Sequence, residues 1–262
     1  MSLLQQALRA GHRRPSGPAA SPRAVVVAGA AGSLGAAVLE QALVRFGRVQ
    51  VLVDAPMAAA LRGFEAVPRT ALDRRLGVLS ADTALVVFDR ERGRHGREAA
   101  FHQPQPQDLP LLARALHDNG VRQLVVVLPH AHALMPAAFK VGLASLDEQA
   151  VAALGFDQLV IVRSARPAGR RRAGSWPQRL ADAMLAQLHW MVPQRDQPVR
   201  PAKVAEFVVT VARQLPHVRG GARVAPPELV WQAAQERDAG DMVRRWLDEG
   251  QWPQGPVPAG RW

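Results

Sequence analysis

Three glycines near the start of the chain constrain its fold more than any other feature. Residues 24–35 read AVVVAGAAGSLG, so Gly29, Gly32 and Gly35 follow a short apolar run and lead into a helical pattern. The apolar run predicts a strand buried on both faces, and the glycines predict a tight turn. A strand, a glycine-rich turn and a helix in this order are typical of a unit that binds the pyrophosphate of a dinucleotide.

Each glycine has its own expected role in such a turn. Gly29 permits the tight turn, Gly32 lets the pyrophosphate approach the backbone, and Gly35 lets the helix pack closely on its strand. The N–H groups at the start of the helix and the helix dipole then favour a phosphate. We therefore expect this turn, with Ser33 and Leu34, to bind a cofactor, and we expect Ser33 to cap the helix. The alternative is a turn rich in glycine and alanine that binds no ligand.

Asp54 ends the second predicted strand, about 20 residues beyond the glycines, where an acidic side chain hydrogen-bonds the ribose hydroxyl groups of NAD. The same carboxylate would repel the 2′-phosphate of NADP. The sequence therefore predicts that NAD is preferred over NADP. Two alternatives stay open: an Asp54 that only opens the following turn, and an effect of Arg62, which is close in sequence.

Strand and helix patterns alternate along the chain. Apolar runs predict strands at residues 24–28, 49–53, 84–88, 124–128 and 159–162, with a weaker one near 65–67. Helical spacing is present at residues 34–43, 108–118, 143–154, 178–191 and 204–211, with one or two more helices within 227–246. This alternation predicts an α/β fold, a doubly wound parallel sheet of the Rossmann type, with a small and mostly helical C-terminal part.

The chain is expected to have three parts. Residues 1–22 are basic and lack acidic side chains, and they are expected to form a flexible tail. Residues 23–224 are expected to form the Rossmann domain, and residues 225–262 a helical extension and tail. The polar stretch 89–107 is expected to be a surface loop beside the carboxyl ends of the strands, where ligands bind.

Charge and cysteine content limit the partners. The formal net charge is +11, and a basic excess attracts nucleic acid or anionic membranes. Arginine, alanine and proline are abundant throughout, so we interpret the charge as a compositional bias and expect no nucleic-acid partner. No apolar run approaches the roughly 20 residues of a membrane span, so no membrane is expected. The chain has no cysteine, which fits a reducing compartment, and we expect it in the cytoplasm.

His130 and His132 follow the fifth predicted strand, whose end should face the nicotinamide. Paired histidines bind metals, but no nearby acidic residue or cysteine completes a ligand set, so no metal site is predicted. Either imidazole is a candidate for contact with a substrate.

The chain resembles the atypical short-chain dehydrogenase/reductases, which have an NAD(P)-binding Rossmann domain, and among them the NmrA-like and Tat-interacting-protein-like branches. The resemblance spans roughly residues 23–224. The matching segments after the glycine turn are VLVDAPM (51–57), the pair Ala100 and Phe101, DNGVRQLVVV (118–127), GFDQLVIVRSARP (155–167) and QPVRPAKVAEFVV (197–209). The resemblance implies a nicotinamide dinucleotide as ligand, with Phe88 and Leu128 bordering it.

The chain departs from the active members of this family at the positions that carry catalysis. Active members have serine at the end of the fifth strand, where Leu128 and Pro129 stand here. They also have a tyrosine four positions before a lysine. If Lys140 is that lysine, Pro136 occupies the tyrosine position, and the chain contains no tyrosine at all. Leucine and proline cannot transfer a proton, so the resemblance implies the fold and the cofactor but argues against the tyrosine-dependent reaction.

Three functions remain open from the sequence. The first is a cofactor-responsive binding or regulatory protein that acts on a protein partner. The second is an oxidoreductase or isomerase of the NAD-dependent epimerase/dehydratase-like group that uses His130, His132, Lys140 or Asp89 instead of tyrosine. The third is a scaffold that has lost its affinity for the cofactor. The glycines and Asp54 favour the first two, and the missing serine and tyrosine favour the first.

Overall fold

The computed structural model describes residues 23–57, 63–74, 77–89, 99–130, 145–165 and 199–251. Within them, seven strands form one parallel sheet in the order β3-β2-β1-β4-β5-β6-β7. The strands are β1 (Ala24–Ala28), β2 (Arg48–Val53), β3 (Glu65–Pro68), β4 (Thr83–Val87), β5 (Gln123–His130), β6 (Gln158–Ala165) and β7 (Gly221–Ala225). The strand order reverses between β1 and β4, as in a doubly wound fold, so the predicted fold class is confirmed.

Helices cover both faces of the sheet. The described helices are α1 (Gly32–Arg45), α2 (Arg69–Asp73), α3 (Leu109–Asp118), α4 (Leu146–Ala152), α5 (Pro201–Gln214), α6 (Pro227–Gln235) and α7 (Gly240–Glu249). The sequence predicted one or two helices within 227–246, and the structure has two there, α6 and α7. None of these described helices is long and apolar enough to cross a membrane. The predicted tail at 1–22 and the predicted helix at 178–191 lie outside the described residues.

The core forms two layers because the side chains of each interior strand alternate between the faces of the sheet. In β1, Val25 and Val27 belong to the layer under α1, α5, α6 and α7. Val26 and Ala28 belong to the layer under α2, α3 and α4. Burial on both faces explains why the interior strands have continuous apolar sequences.

The start of α1 differs from the expected one. The helix begins at Gly32, its N-cap residue is Ala31, and no side chain of the cap accepts a hydrogen bond. Ser33 therefore lies inside the first turn, and the prediction that Ser33 caps the helix is wrong. The reason is that the helix already begins at the second glycine of the turn, one residue before Ser33.

The two edges of the sheet are the parts that the sequence indicated least. The expected weak strand near residues 65–67 is present as β3, and β7 follows α5 without having been predicted. The boundary expected between residues 224 and 225 falls inside β7. Helices α6 and α7 pack into the same core layer as α1 and α5.

A buried ion pair fastens α4 to the sheet. The guanidinium Nη2 of Arg163 in β6 lies 2.8 Å from Oε2 of Glu148, and both side chains are almost fully buried. The hydroxyl of Ser145 accepts a hydrogen bond from the Glu148 N–H and caps α4. The sequence pattern placed a helix here but did not identify the pair.

Candidate functional site

The turn between β1 and α1 has a backbone conformation that favours glycine. Gly29 has φ of 84° and Gly32 has φ of 83°, both in the left-handed region. A Cβ atom at Gly29 would overlap the carbonyl oxygen of Val87 in β4, and one at Gly35 would overlap the carbonyl oxygen of Gly29. The turn therefore lies against β4 and α1 as closely as glycine allows. Its role in cofactor binding stays a prediction.

The amino end of α1 already has an anion beside it. The backbone N–H of Leu34 donates a hydrogen bond to Oδ2 of Asp89, at 2.8 Å. The first N–H groups of a helix have no partner within the helix, and a carboxylate there is stabilised by the helix dipole. Helix α1 has no acidic residue in its own first turn, so Asp89 supplies the carboxylate from the end of β4. The sequence named Asp89 only as a candidate catalytic group.

Residues 100–102 lie across the carboxyl ends of β1 and β2. The N–H of Gly29 donates to the His102 carbonyl (3.0 Å), the N–H of His102 donates to the Leu52 carbonyl (2.9 Å), and the N–H of Asp54 donates to the Ala100 carbonyl (2.9 Å). These bonds satisfy backbone groups that the strand ends leave open. The segment therefore lies over the carboxyl ends of β1 and β2, where the sequence predicted a ligand.

The expectation of a surface loop over residues 89–107 is wrong for part of this stretch. Phe101 forms an antiparallel bridge with Val53, and both Phe101 and His102 are buried. The polar composition of the stretch suggested exposure, but the backbone pairing with β1 and β2 draws these two side chains inward. Residues 90–98 lie outside the described residues.

The carboxylate of Asp54 has two cationic or hydrogen-bonding neighbours. Nδ1 of His102 lies 2.9 Å from Oδ1 and 3.0 Å from Oδ2 of Asp54. An ionised carboxylate can accept hydrogen bonds but cannot donate them, so Nδ1 is the donor. Nε of Arg69 lies 3.8 Å from Oδ1, and Arg69 also pairs with Asp73. The Asp54 side chain remains half exposed, so it is open to solvent on one side.

Arg69, rather than Arg62, is the described cation beside Asp54, and Arg62 lies outside the described residues. Arg69 follows β3 directly, and β3 is the neighbour of β2 in the sheet. Because parallel strands end at the same edge, this proximity could have been inferred from the strand order. No sequence signal pointed to His102.

The other predicted site residues are distributed around β4 and β5. The Phe88 side chain is buried in the core layer under α3, and its N–H donates to the Val127 carbonyl at 3.0 Å. Leu128 is half buried against the same layer. His130 ends β5, while His132, Pro136 and Lys140 lie outside the described residues. In the described part of the chain, no cluster of three His, Asp or Glu residues could hold a metal ion.

No protein-family model matches the sequence, and no curated protein matches it. Several solved structures are similar in fold. UDP-N-acetylglucosamine 4-epimerase from Bacillus cereus is 15% identical with a TM-score of 0.47, over 80% of this chain and 82% of that one. The Bordetella bronchiseptica enzyme WbmG in complex with NAD and UDP is 14% identical with a TM-score of 0.45, over 84% of this chain and 81% of that one. A short chain dehydrogenase from Leptospira borgpetersenii with bound NAD+ is 12% identical with a TM-score of 0.45, over 79% of this chain and 92% of that one.

Two glycines with similar φ separate two reasons for glycine at position 29, namely the backbone conformation and the close contact with β4. Gly250 has φ of 69° and open space around its α-carbon, whereas Gly29 has both positive φ and the Val87 carbonyl against it. We expect Gly250→Ala to lower the free energy of unfolding by about 1–2 kcal/mol. Gly29→Ala should cost about 1–3 kcal/mol more, because the added methyl group overpacks the turn. Urea unfolding measures both, and equal losses would contradict the close contact with β4.

Proposed function

We propose that the chain binds a nicotinamide dinucleotide at the turn between β1 and α1, as a non-catalytic relative of the atypical short-chain dehydrogenases in the NmrA-like or Tat-interacting-protein-like branch. One observation carries the proposal: the glycine turn lies at the carboxyl end of β1, beside the reversal of strand order between β1 and β4. Ligands of doubly wound sheets bind in the crevice at this point.

The residues of the turn fit a dinucleotide in their backbone conformation. Gly32 has positive φ and no side chain, so its backbone would let a pyrophosphate approach the start of α1 and bond the N–H groups of Ser33 and Leu34, the second of which bonds Asp89 in the free protein. Asp54 would accept hydrogen bonds from the ribose. A bound nicotinamide would supply hydride chemistry, whereas this chain's own residues would bind and orient the cofactor.

A regulatory or binding role is favoured over catalysis because the serine and tyrosine of the active family members are missing. The chain has no tyrosine, and Leu128 stands where active members of the family that the chain resembles have serine. Asp89, one of the other candidates, directs its carboxylate at the Leu34 N–H. We therefore propose that cofactor binding serves to alter contacts with a protein partner, in the cytoplasm, where a chain without cysteine fits.

A second candidate is a scaffold without affinity for a cofactor. One observation favours it: two of the polar groups that a dinucleotide would use already have partners within the chain. Leu34 donates to Asp89, and both oxygens of Asp54 contact the His102 imidazole. The binding experiments below separate the two candidates.

Replacing Gly32 tests the phosphate position. Gly32→Val should abolish measurable NAD binding, because a branched side chain at this position would block the approach of the pyrophosphate. Gly120→Val is the matched control, because Gly120 also has positive φ but lies before the amino end of β5. Isothermal titration of NAD into both variants measures the effect. An unchanged Kd in Gly32→Val would remove the turn from the binding site.

Asp54 should set the choice of cofactor. We expect NAD to bind more tightly than NADP by about 1–3 kcal/mol, because the 2′-phosphate would face a carboxylate. Asp54→Ala should reduce or reverse this preference, since Arg69 would then be the charged group beside the ribose. Asp73→Ala, which removes the other carboxylate paired with Arg69, is the control. Tighter binding of NADP by the unaltered protein would contradict the role of Asp54.

Carbonyl reduction should be slight even with cofactor present. A general acid contributes about 10²- to 10⁴-fold in rate, and the family's tyrosine is missing. Oxidation of NADH across a panel of aldehydes and ketones measures this. Substantial oxidation that disappears in His130→Ala or His132→Ala would instead support an enzyme that uses a histidine.

A further inference from the structure

We infer that Asp89 occupies the phosphate position of α1 in the free protein, so that a dinucleotide binds only by displacing this carboxylate. The inference rests on the proposed function, because it concerns the same turn. The Asp89 carboxylate then competes with the pyrophosphate of the dinucleotide, and cofactor binding replaces one anion by the other.

The geometry of Asp89 supports direct competition. Its Oδ2 lies 2.8 Å from the Leu34 nitrogen, the distance of a charge-assisted hydrogen bond. That N–H is among the groups that would hold the pyrophosphate at the start of α1. One N–H cannot serve both anions at this distance, and two anions at one helix end repel each other.

The anchoring of Asp89 indicates what has to move. The preceding residue, Phe88, is buried, and its N–H is bonded to the Val127 carbonyl. The backbone entering Asp89 is therefore fixed to β5, so displacement of the carboxylate from Leu34 requires rotation of the Asp89 side chain. Asp89 itself is only partly buried, so the rotated carboxylate can reach solvent.

Asp54, at the proposed ribose position, also has a hydrogen-bond partner within the chain. Both of its oxygens contact Nδ1 of His102, and the His102 backbone is bonded to Gly29 and Leu52. The Asp54 carboxylate is half exposed, so a ribose hydroxyl can bond its open side beside the imidazole. Of the two contacts, only that of Asp89 places a negative charge where the phosphate of the ligand would lie.

Removal of the carboxylate tests the competition. Asp89→Ala in the full chain should lower the Kd for NAD+ about ten-fold or more, which is the fold-change expected for a hydrogen bond to a charged group. Asp89→Asn retains an oxygen that can accept from Leu34 but removes the charge, so it should give a smaller gain. It also keeps the test open if the alanine variant does not fold. Asp82→Ala is the matched control, because Asp82 is exposed and immediately precedes β4, at the opposite end of that strand.

Two further ligands locate the effect. ADP should show the same gain in affinity as NAD+ in Asp89→Ala, whereas adenosine, which has no phosphate, should show none. In the free protein, Asp89→Ala should lower the melting temperature, because the Leu34 N–H loses its partner. The rise in melting temperature on adding NAD+ should be larger than in the unaltered protein.

The outcomes separate this inference from the proposed function. Equal binding of NAD+ by the unaltered chain and by both Asp89 variants would make Asp89 a helix cap only and overturn the inference alone. An equal gain for adenosine would also overturn it. Binding by Asp89→Ala but not by the unaltered chain would support both. No binding of NAD+ by any of these proteins would overturn the proposed function, and the inference with it.

Discussion

The backbone groups at the carboxyl edge of the sheet need hydrogen-bond partners, and the rest of the site depends on how the chain supplies them. Strands β1 and β2 end there, and α1 begins there with N–H groups that its own turns cannot satisfy. In this protein the partners come from the segments that follow β4. Asp89 bonds the start of α1, and residues 100–102 bond the ends of β1 and β2. The carboxyl ends of the strands, where a doubly wound fold binds its ligands, are thus lined by polar atoms of the chain itself.

The interior of the fold was predictable because its strands are buried on both faces. Such strands are apolar at nearly every position, which leaves a continuous run such as that of β1, and the glycine turn marks where the first strand ends. The edge strands lack this constraint. In β3 only Val67 is buried, and in β7 only Val224 and Ala225 are. Burial on so few positions leaves a weak pattern, so β3 was barely indicated and β7 was not.

The candidate site divides in the same way between local and long-range causes. The positive φ of Gly29 and Gly32 and the contact of Gly35 with the Gly29 carbonyl involve residues close in sequence, so the motif indicated them, whereas the contact of Gly29 with Val87 joins distant residues. The bond from Leu34 to Asp89 joins residues 55 positions apart, and that from His102 to Asp54 joins residues 48 apart. Composition indicated exposure for the stretch that contains His102. Its burial follows from the pairing of its backbone with two strand ends, which no local pattern encodes.

The glycines alone do not discriminate between a binding protein and a scaffold. Gly29 is needed because the Val87 carbonyl leaves no room for a side chain, and Gly35 because the Gly29 carbonyl leaves none. Both constraints act within the folded chain and persist without any ligand. Asp89 is different, because a carboxylate at a helix start stabilises the free protein and opposes a phosphate at the same place. The residue whose replacement would separate the two functions under our proposal therefore lies outside the motif, two residues after the strand on which the turn packs.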